Sequence, residues 1–230
     1  MKISPTLTEV KEIAKNGKYD ILPVSCEILS DFITPIEAMR ILQNVSTHCY
    51  LLESAQANEA WGRYTFLGYD PKLEINCIDG HMKLGKLSVE TENPSEYIRQ
   101  ILSEYKSPKF DYLPSFTGGL VGYFSYDYLG YKEKSIRGKA RDTEDFKDVD
   151  LMLFDKVIAF DNLCQKIILI ANMSLDAPET GYNKAIVELK QLRELLMHGE
   201  KKQNMGGKLL GDVTPLFEKE QYCEMVEKAK

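Results

Sequence analysis

The chain has 230 residues, 43% of them hydrophobic and 28% charged, with a formal net charge of -6. That length buries a core without disulfide or metal staples, as one large domain or two small ones, and the composition excludes a disordered chain. The densest basic stretch, Lys132, Lys134, Arg137, Lys139 and Arg141, is interrupted by Glu133 and followed by Asp142, Glu144 and Asp145, so it reads as a solvated loop and not as a nucleic-acid site.

No apolar run approaches the roughly 20 residues of a membrane helix. The N-terminus, MKISPTLTEVKE, lacks the apolar centre of a secretory signal. Cys26, Cys49, Cys77, Cys164 and Cys223 are widely spaced with no CxxC pair, which fits free thiols in a reducing cytoplasm. His48, His81 and His198 are scattered and show no metal-ligand spacing.

In chain order, residues 6–16 carry Leu7, Val10, Ile13 and Ala14 at helical spacing with Gly17 as a stop. Residues 19–29 read as a strand, and Pro23 within it argues for an edge position or a bulge. Thr34-Pro35 is an N-cap followed by Pro at the first helical position, with Ile36, Met39, Ile41 and Leu42 as the apolar face and an end near Asn44. The run 49–52 is a buried strand that leaves the core at Glu53-Ser54, residues 56–60 suit a loop, and 61–68 is a second strand ending at Asp70-Pro71. A hairpin or near-hairpin of this kind brings Glu53, Ser54 and Arg63 close together.

Residues 72–79 alternate, Asp79-Gly80 signals a hairpin, and Met82, Leu84 and Leu87 occupy the next strand, which with the preceding pair predicts an antiparallel meander. Asn93-Pro94 starts a helix whose Tyr97, Ile98, Ile101, Leu102 and Tyr105 face the core. Gly118, Gly119 and Gly122 in FTGGLVGYFSYDYLGY imply close backbone approach or φ > 0, in a core strand packed tightly on a neighbour. Neither GxGxxG nor GxxxxGK[ST] is present, so a phosphate loop is a poor match. Residues 151–154 and 157–160 are strands, and Asp161-Asn162 turns into a third at 166–172. A long amphipathic helix spans 178–198, 199–211 is a linker by composition, and 214–230 restarts a helix with Phe217, Tyr222, Val226 and Ala229 as its apolar face.

No catalytic constellation emerges: Ser54 has no predicted His or Lys partner, the carboxylates are scattered and the histidines are isolated. The sequence therefore nominates no catalytic and no metal-ligating residue. Glu53 with Arg63 offers charges opposite to those of an amino acid, and Ser54 adds a hydroxyl, so a ligand site is one reading. A simple ion pair between Glu53 and Arg63 at a strand end is the other.

Residues 51–71, LLESAQANEAWGRYTFLGYDP, resemble the N-terminal signature of anthranilate synthase component I, the chorismate-using subunit. LPVSCEIL with the TPIEA helix, TGGLVGYFSYDY, DLMLFDKVIAFDN and FEKEQYCEMVEKAK are similar to that family in the same order, so the resemblance covers almost the whole chain. Aminodeoxychorismate synthase component I, of the folate pathway, shares the architecture and some of these motifs.

The resemblance implies an α+β fold, with antiparallel sheets around a cleft and flanking helices. This chain would be its N-terminal part: 1–198 as the N-terminal region, 199–213 as a flexible linker and 214–230 as the first helix of the chorismate-binding catalytic region. It further implies that the intact cytoplasmic enzyme, a lyase working with a glutamine amidotransferase subunit (component II), converts chorismate and ammonia to anthranilate and pyruvate in tryptophan biosynthesis. Mg²⁺ and the catalytic residues belong to the C-terminal half, whose motifs are not in this sequence, so the 230 residues are expected to be inactive alone. What the family places in this half is the feedback site for tryptophan. Its LLES motif falls on Leu51, Leu52, Glu53 and Ser54, a basic residue corresponds to Arg63, and a proline near the pocket corresponds to Pro23. A free-standing amino-acid-binding module with no enzyme attached is the alternative from another class.

Overall fold

Two short sequence devices start the first helices. Thr6 caps α1 (Leu7–Lys15) and Thr34 caps α2 (Pro35–Val45), each accepting from the backbone N–H three residues on while Glu9 and Glu37 bond back to the cap. Each reciprocal pair satisfies two of the orphan donors at a helix start. The computed structural model describes residues 2–54, 62–136, 145–203 and 206–230. The predicted loop at 56–60, Trp61 at the start of the predicted strand, Arg137, Lys139 and Arg141 of the basic stretch, and Asn204 of the predicted linker lie outside the described residues.

The strands form two antiparallel sheets. The first comprises β1 (Ile3–Ser4), β2 (Ile21–Leu29), β3 (Cys49–Leu52), β4 (Tyr64–Tyr69), β10 (Lys156–Asp161) and β11 (Lys166–Ser174), in the spatial order β1-β2-β11-β10-β4-β3. The second comprises β5 (Leu73–Ile78), β6 (His81–Leu84), β7 (Leu87–Glu90), β8 (Gly119–Phe124) and β9 (Val149–Phe154), in the order β7-β6-β5-β9-β8. With α3 (Pro94–Ser103), α4 (Pro178–His198) and α5 (Lys219–Ala229), the architecture is α+β.

The predicted meander is corrected at this point. β4 pairs with β3 and β10, whereas β5 pairs with β6 and β9. The chain changes sheets at Asp70, whose φ is 52°, and Pro71, which has no N–H to continue a ladder. Asp155 marks a second crossing between sheets, from β9 to β10. The sequence also hides a strand boundary: Met82 and Leu84 lie on β6, but Gly85 (φ 60°) turns the chain so that Leu87 opens β7.

Two apolar layers sit on opposite faces of the first sheet. On one face, Leu22, Val24, Leu67, Ile158, Ile167 and Leu169 pack with Ile41 and Leu42 of α2 and Leu189 and Leu192 of α4. On the other, Val157, Ala159, Ile168 and Ile170 pack with Tyr64, Phe66, Phe110, Leu113 and Phe116. The second sheet buries Ile75, Cys77, Met82, Val149 and Leu151 against Ile98 of α3.

β8 is an edge strand of the second sheet and is half exposed, not a core strand. The glycines in and just before it nevertheless do what their composition predicts: Gly118, Gly119 and Gly122 have φ of 144°, 139° and 154°. A Cβ at Gly122 would collide with the Asp150 carbonyl of β9. The segment after β8 folds into a 3-10 helix, Tyr126–Tyr131, which the aromatic crowding conceals. Tyr131 Oη there accepts from Gly80 N (2.7 Å) and donates to Asp148 Oδ2 (2.7 Å), tying this helix to the β5–β6 turn and the entry to β9.

Past α4, Lys202 N donates to the Arg40 carbonyl of α2 at 3.0 Å, so residues just after the helix stay against the body of the fold. α5 begins at Lys219, later than predicted, and buries none of its residues.

Candidate functional site

The site is built where β3 ends and β4 begins. Leu52 pairs with Phe66 across the ladder, and Cys49 with Tyr69. The antiparallel register therefore returns Arg63, the residue before β4, to the end of the sheet where Glu53 and Ser54 leave β3. Alternation along the strands puts Leu52, Tyr64 and Phe66 on the face opposite the helices. Leu52, Glu53 and Ser54 are exposed.

Arg63 does not pair with Glu53. Its Nε donates to Asp161 Oδ1 at 3.1 Å and its Nη2 to Asp161 Oδ2 at 2.6 Å, a bidentate fork. Asp161 closes β10 and is 3% exposed. Its Oδ1 also accepts from Leu163 N (3.1 Å) and Cys164 N (3.0 Å). Burial alone would push the Asp161 carboxyl up, but the Arg63 guanidinium and the Cys164 N–H hold it below the ordinary aspartate value. The same pairing raises Arg63 further above its already high value.

The backbone repeats the link. Asn162 N donates to the Arg63 carbonyl at 2.9 Å, and Asn162 Nδ2 reaches Thr65 Oγ1 at 3.3 Å. The guanidinium carbon stands 4.9 Å from the Tyr64 ring centroid, a cation–π distance. The side chain remains 36% exposed, and both Nη1 hydrogens lack a partner among the described residues.

Pro23 does not join this group. It pairs with Asn172, while Leu29, at the other end of β2, pairs with Lys166, itself the partner of Asp161. At about 3.3 Å per residue, Pro23 lies about 20 Å away along the strand direction. The edge character inferred for it is local: β1 covers β2 only at Ser25 and Cys26, which leaves the Pro23 side open. A cavity of about 480 Å³ opens at Pro23's end of the sheet, but on Asp70, Lys156, Asn172, Lys184 and Glu188. Its charges pair with each other: Lys156 Nζ donates to Asp70 Oδ2 at 2.7 Å, and Lys184 Nζ lies 3.7 Å from Glu188 Oε1.

Asp161 is the functional candidate that sequence reading missed. Asp161-Asn162 reads as turn chemistry, and nothing local to it announces an arginine 98 positions earlier as its partner. The antiparallel pairing of Asp161 with Tyr64 is what brings the two together.

The sequence profile of the chorismate binding enzyme family matches residues 47–230. The chain belongs to that family. Leu52, Glu53, Ser54, Arg63 and Asp161 all fall inside the family match, and Pro23 precedes it. Among curated relatives, the anthranilate synthase component 1 of Acetivibrio thermocellus is 32% identical, covering 98% of this chain and 47% of that protein. The Pseudomonas aeruginosa protein of the same name is 35% identical over 82% of this chain and 39% of its own length. The crystal structure of anthranilate synthase component I from Streptococcus pneumoniae TIGR4 superposes with a TM-score of 0.56 at 26% identity, covering 88% of this chain and 44% of that one. The chain thus spans about half the length of the curated relatives it matches.

Within this member of the family, no three His, Cys, Asp or Glu side chains among the described residues come close enough to hold a metal ion. No helix among them is long and apolar enough to cross a membrane.

Proposed function

We propose that this chain is the effector-binding N-terminal portion of an anthranilate synthase component I. The intact cytoplasmic subunit, with a glutamine amidotransferase as ammonia source, converts chorismate to anthranilate and pyruvate and is inhibited by tryptophan. The chorismate chemistry and its Mg²⁺ belong to sequence that the chain does not span. What supports the reading is the β3–β4 register, which returns Arg63, held by Asp161, to the end of the sheet where Leu52, Glu53 and Ser54 leave β3.

A tryptophan zwitterion matches that arrangement in charge and shape. Glu53 and the Ser54 hydroxyl face the ammonium, the Nη1 edge of Arg63 faces the carboxylate, and Leu52, Tyr64 and Phe66 offer an apolar wall for the indole. Pro23 sits too far along the sheet to share the same ligand. Inhibition then requires that this site and the chorismate site favour different states of the intact subunit.

A product assay on the full-length subunit with chorismate, an ammonium salt and Mg²⁺ tests the reading. Anthranilate with pyruvate is the expected outcome. Aminodeoxychorismate would reassign the chain to the folate-pathway relative, and a protein that leaves chorismate untouched would favour an amino-acid-binding module.

A further inference from the structure

We propose that Asp161 is a positioning residue that makes the effector site selective for a carboxylate; the inference rests on the effector reading of Glu53, Ser54 and Arg63. A lone arginine at a strand end samples many rotamers, and ordering it on binding costs up to about 2 kcal/mol. Here that cost is met before any ligand arrives. Asp161 grips the Nε–Nη2 edge of Arg63 at 3.1 and 2.6 Å, while Tyr64 lies 4.9 Å from its centre.

The grip is itself held. Asp161 is buried, and the N–H groups of Leu163 and Cys164 fix its Oδ1, so the carboxylate cannot follow the guanidinium outward. The consequence is directional: the edge given to Asp161 is withdrawn from the ligand, and the Nη1 hydrogens are presented to it. Because Asp161 offsets the charge of Arg63, the pair attracts by hydrogen-bond geometry more than by net charge. A carboxylate at that edge offers two ionised acceptor oxygens to the Nη1 hydrogens, whereas a primary amide offers one neutral oxygen and an NH2 that can only donate, so the carboxylate is bound more strongly.

Calorimetric titration of the full-length subunit with tryptophan and with tryptophanamide separates this role from a structural one. The wild-type protein should prefer tryptophan by about tenfold or more. Asp161→Asn should weaken tryptophan about tenfold and change tryptophanamide by less than about twofold, because only the carboxylate contact depends on the held arginine. Arg63→Lys, which keeps the charge but cannot form the fork, should lose the same preference, and it serves as the second variant if Asp161→Asn folds poorly. Equal weakening of both ligands, or an unchanged preference in both variants, would overturn the inference while leaving the effector site in place. A wild-type subunit that binds neither ligand would remove the effector reading, and the inference with it.

Discussion

Asp161 is ionised at a price of burial and repaid by four hydrogen bonds, so its contribution must depend on pH. Its pKa in the folded chain lies below the ordinary value near 4. The stabilisation is therefore fully present above that ordinary value and is lost as pH falls through the lower folded value. Urea unfolding should show Asp161→Asn less stable than wild type by about 2 kcal/mol at pH 7, with the gap closing as pH drops toward 3. A gap that stays constant across that range would show that the pair does not titrate with folding. Tyr50 makes the opposite case. It packs edge-on to Phe154 with ring centroids 4.7 Å apart, yet its buried hydroxyl has no hydrogen-bond partner among the described residues. Tyr50→Phe keeps the packing and removes the orphan group, and should raise the unfolding free energy by about 1 kcal/mol in the same assay. At this scale the return of Arg63 to the sheet end where Glu53 and Ser54 leave β3 was legible, because the hairpin lies in one short stretch. Asp161 was not, since its role exists only once β10 lies against β4.

Among the elements, helices declared themselves most clearly. Thr34-Pro35 and Asn93-Pro94 fix the starts of α2 and α3, and α4 runs over the predicted 178–198. Strands were found but their partners were not, because period-2 alternation says which side chains share a face and nothing about which strand lies alongside. That is why β4 and β5 read as neighbours although Asp70-Pro71 sends them to different sheets. The glycines of β8 carry the sharper information. Gly122 combines φ of 154° with a Cβ direction that points into the Asp150 carbonyl. Gly122→Ala should therefore cost about 3 kcal/mol by urea unfolding. Loss below about 1 kcal/mol would mean that β8 can shift along its single partner, β9, at little cost.

For the whole molecule, the first sheet is covered on both faces, whereas the segment before α5 leaves Leu209, Leu210, Val213, Leu216 and Phe217 exposed, and α5 leaves Tyr222, Met225 and Val226 exposed. The candidate effector site likewise offers one wall, on the exposed Leu52–Ser54 end of β3. If the rest of the pocket comes from sequence outside this chain, tryptophan should bind the 230-residue chain at least about tenfold more weakly than the full-length subunit in calorimetry. Equal affinity would place the entire pocket within these residues. The antiparallel sheets and flanking helices were readable from turns, caps and alternation; how two sheets share one chain was not, because the short breaks at Asp70-Pro71 and at Asp155 mark strand ends without saying which sheet the next strand joins.

The measurement that reaches the central claim most directly is tryptophan inhibition of anthranilate formation by the full-length subunit, wild type against Ser54→Phe. A phenylalanine at position 54 fills the space beside Glu53 and Arg63. The account predicts inhibition of the wild type and marked resistance of the variant, with turnover in the absence of tryptophan preserved. Identical inhibition curves for the two proteins would contradict it.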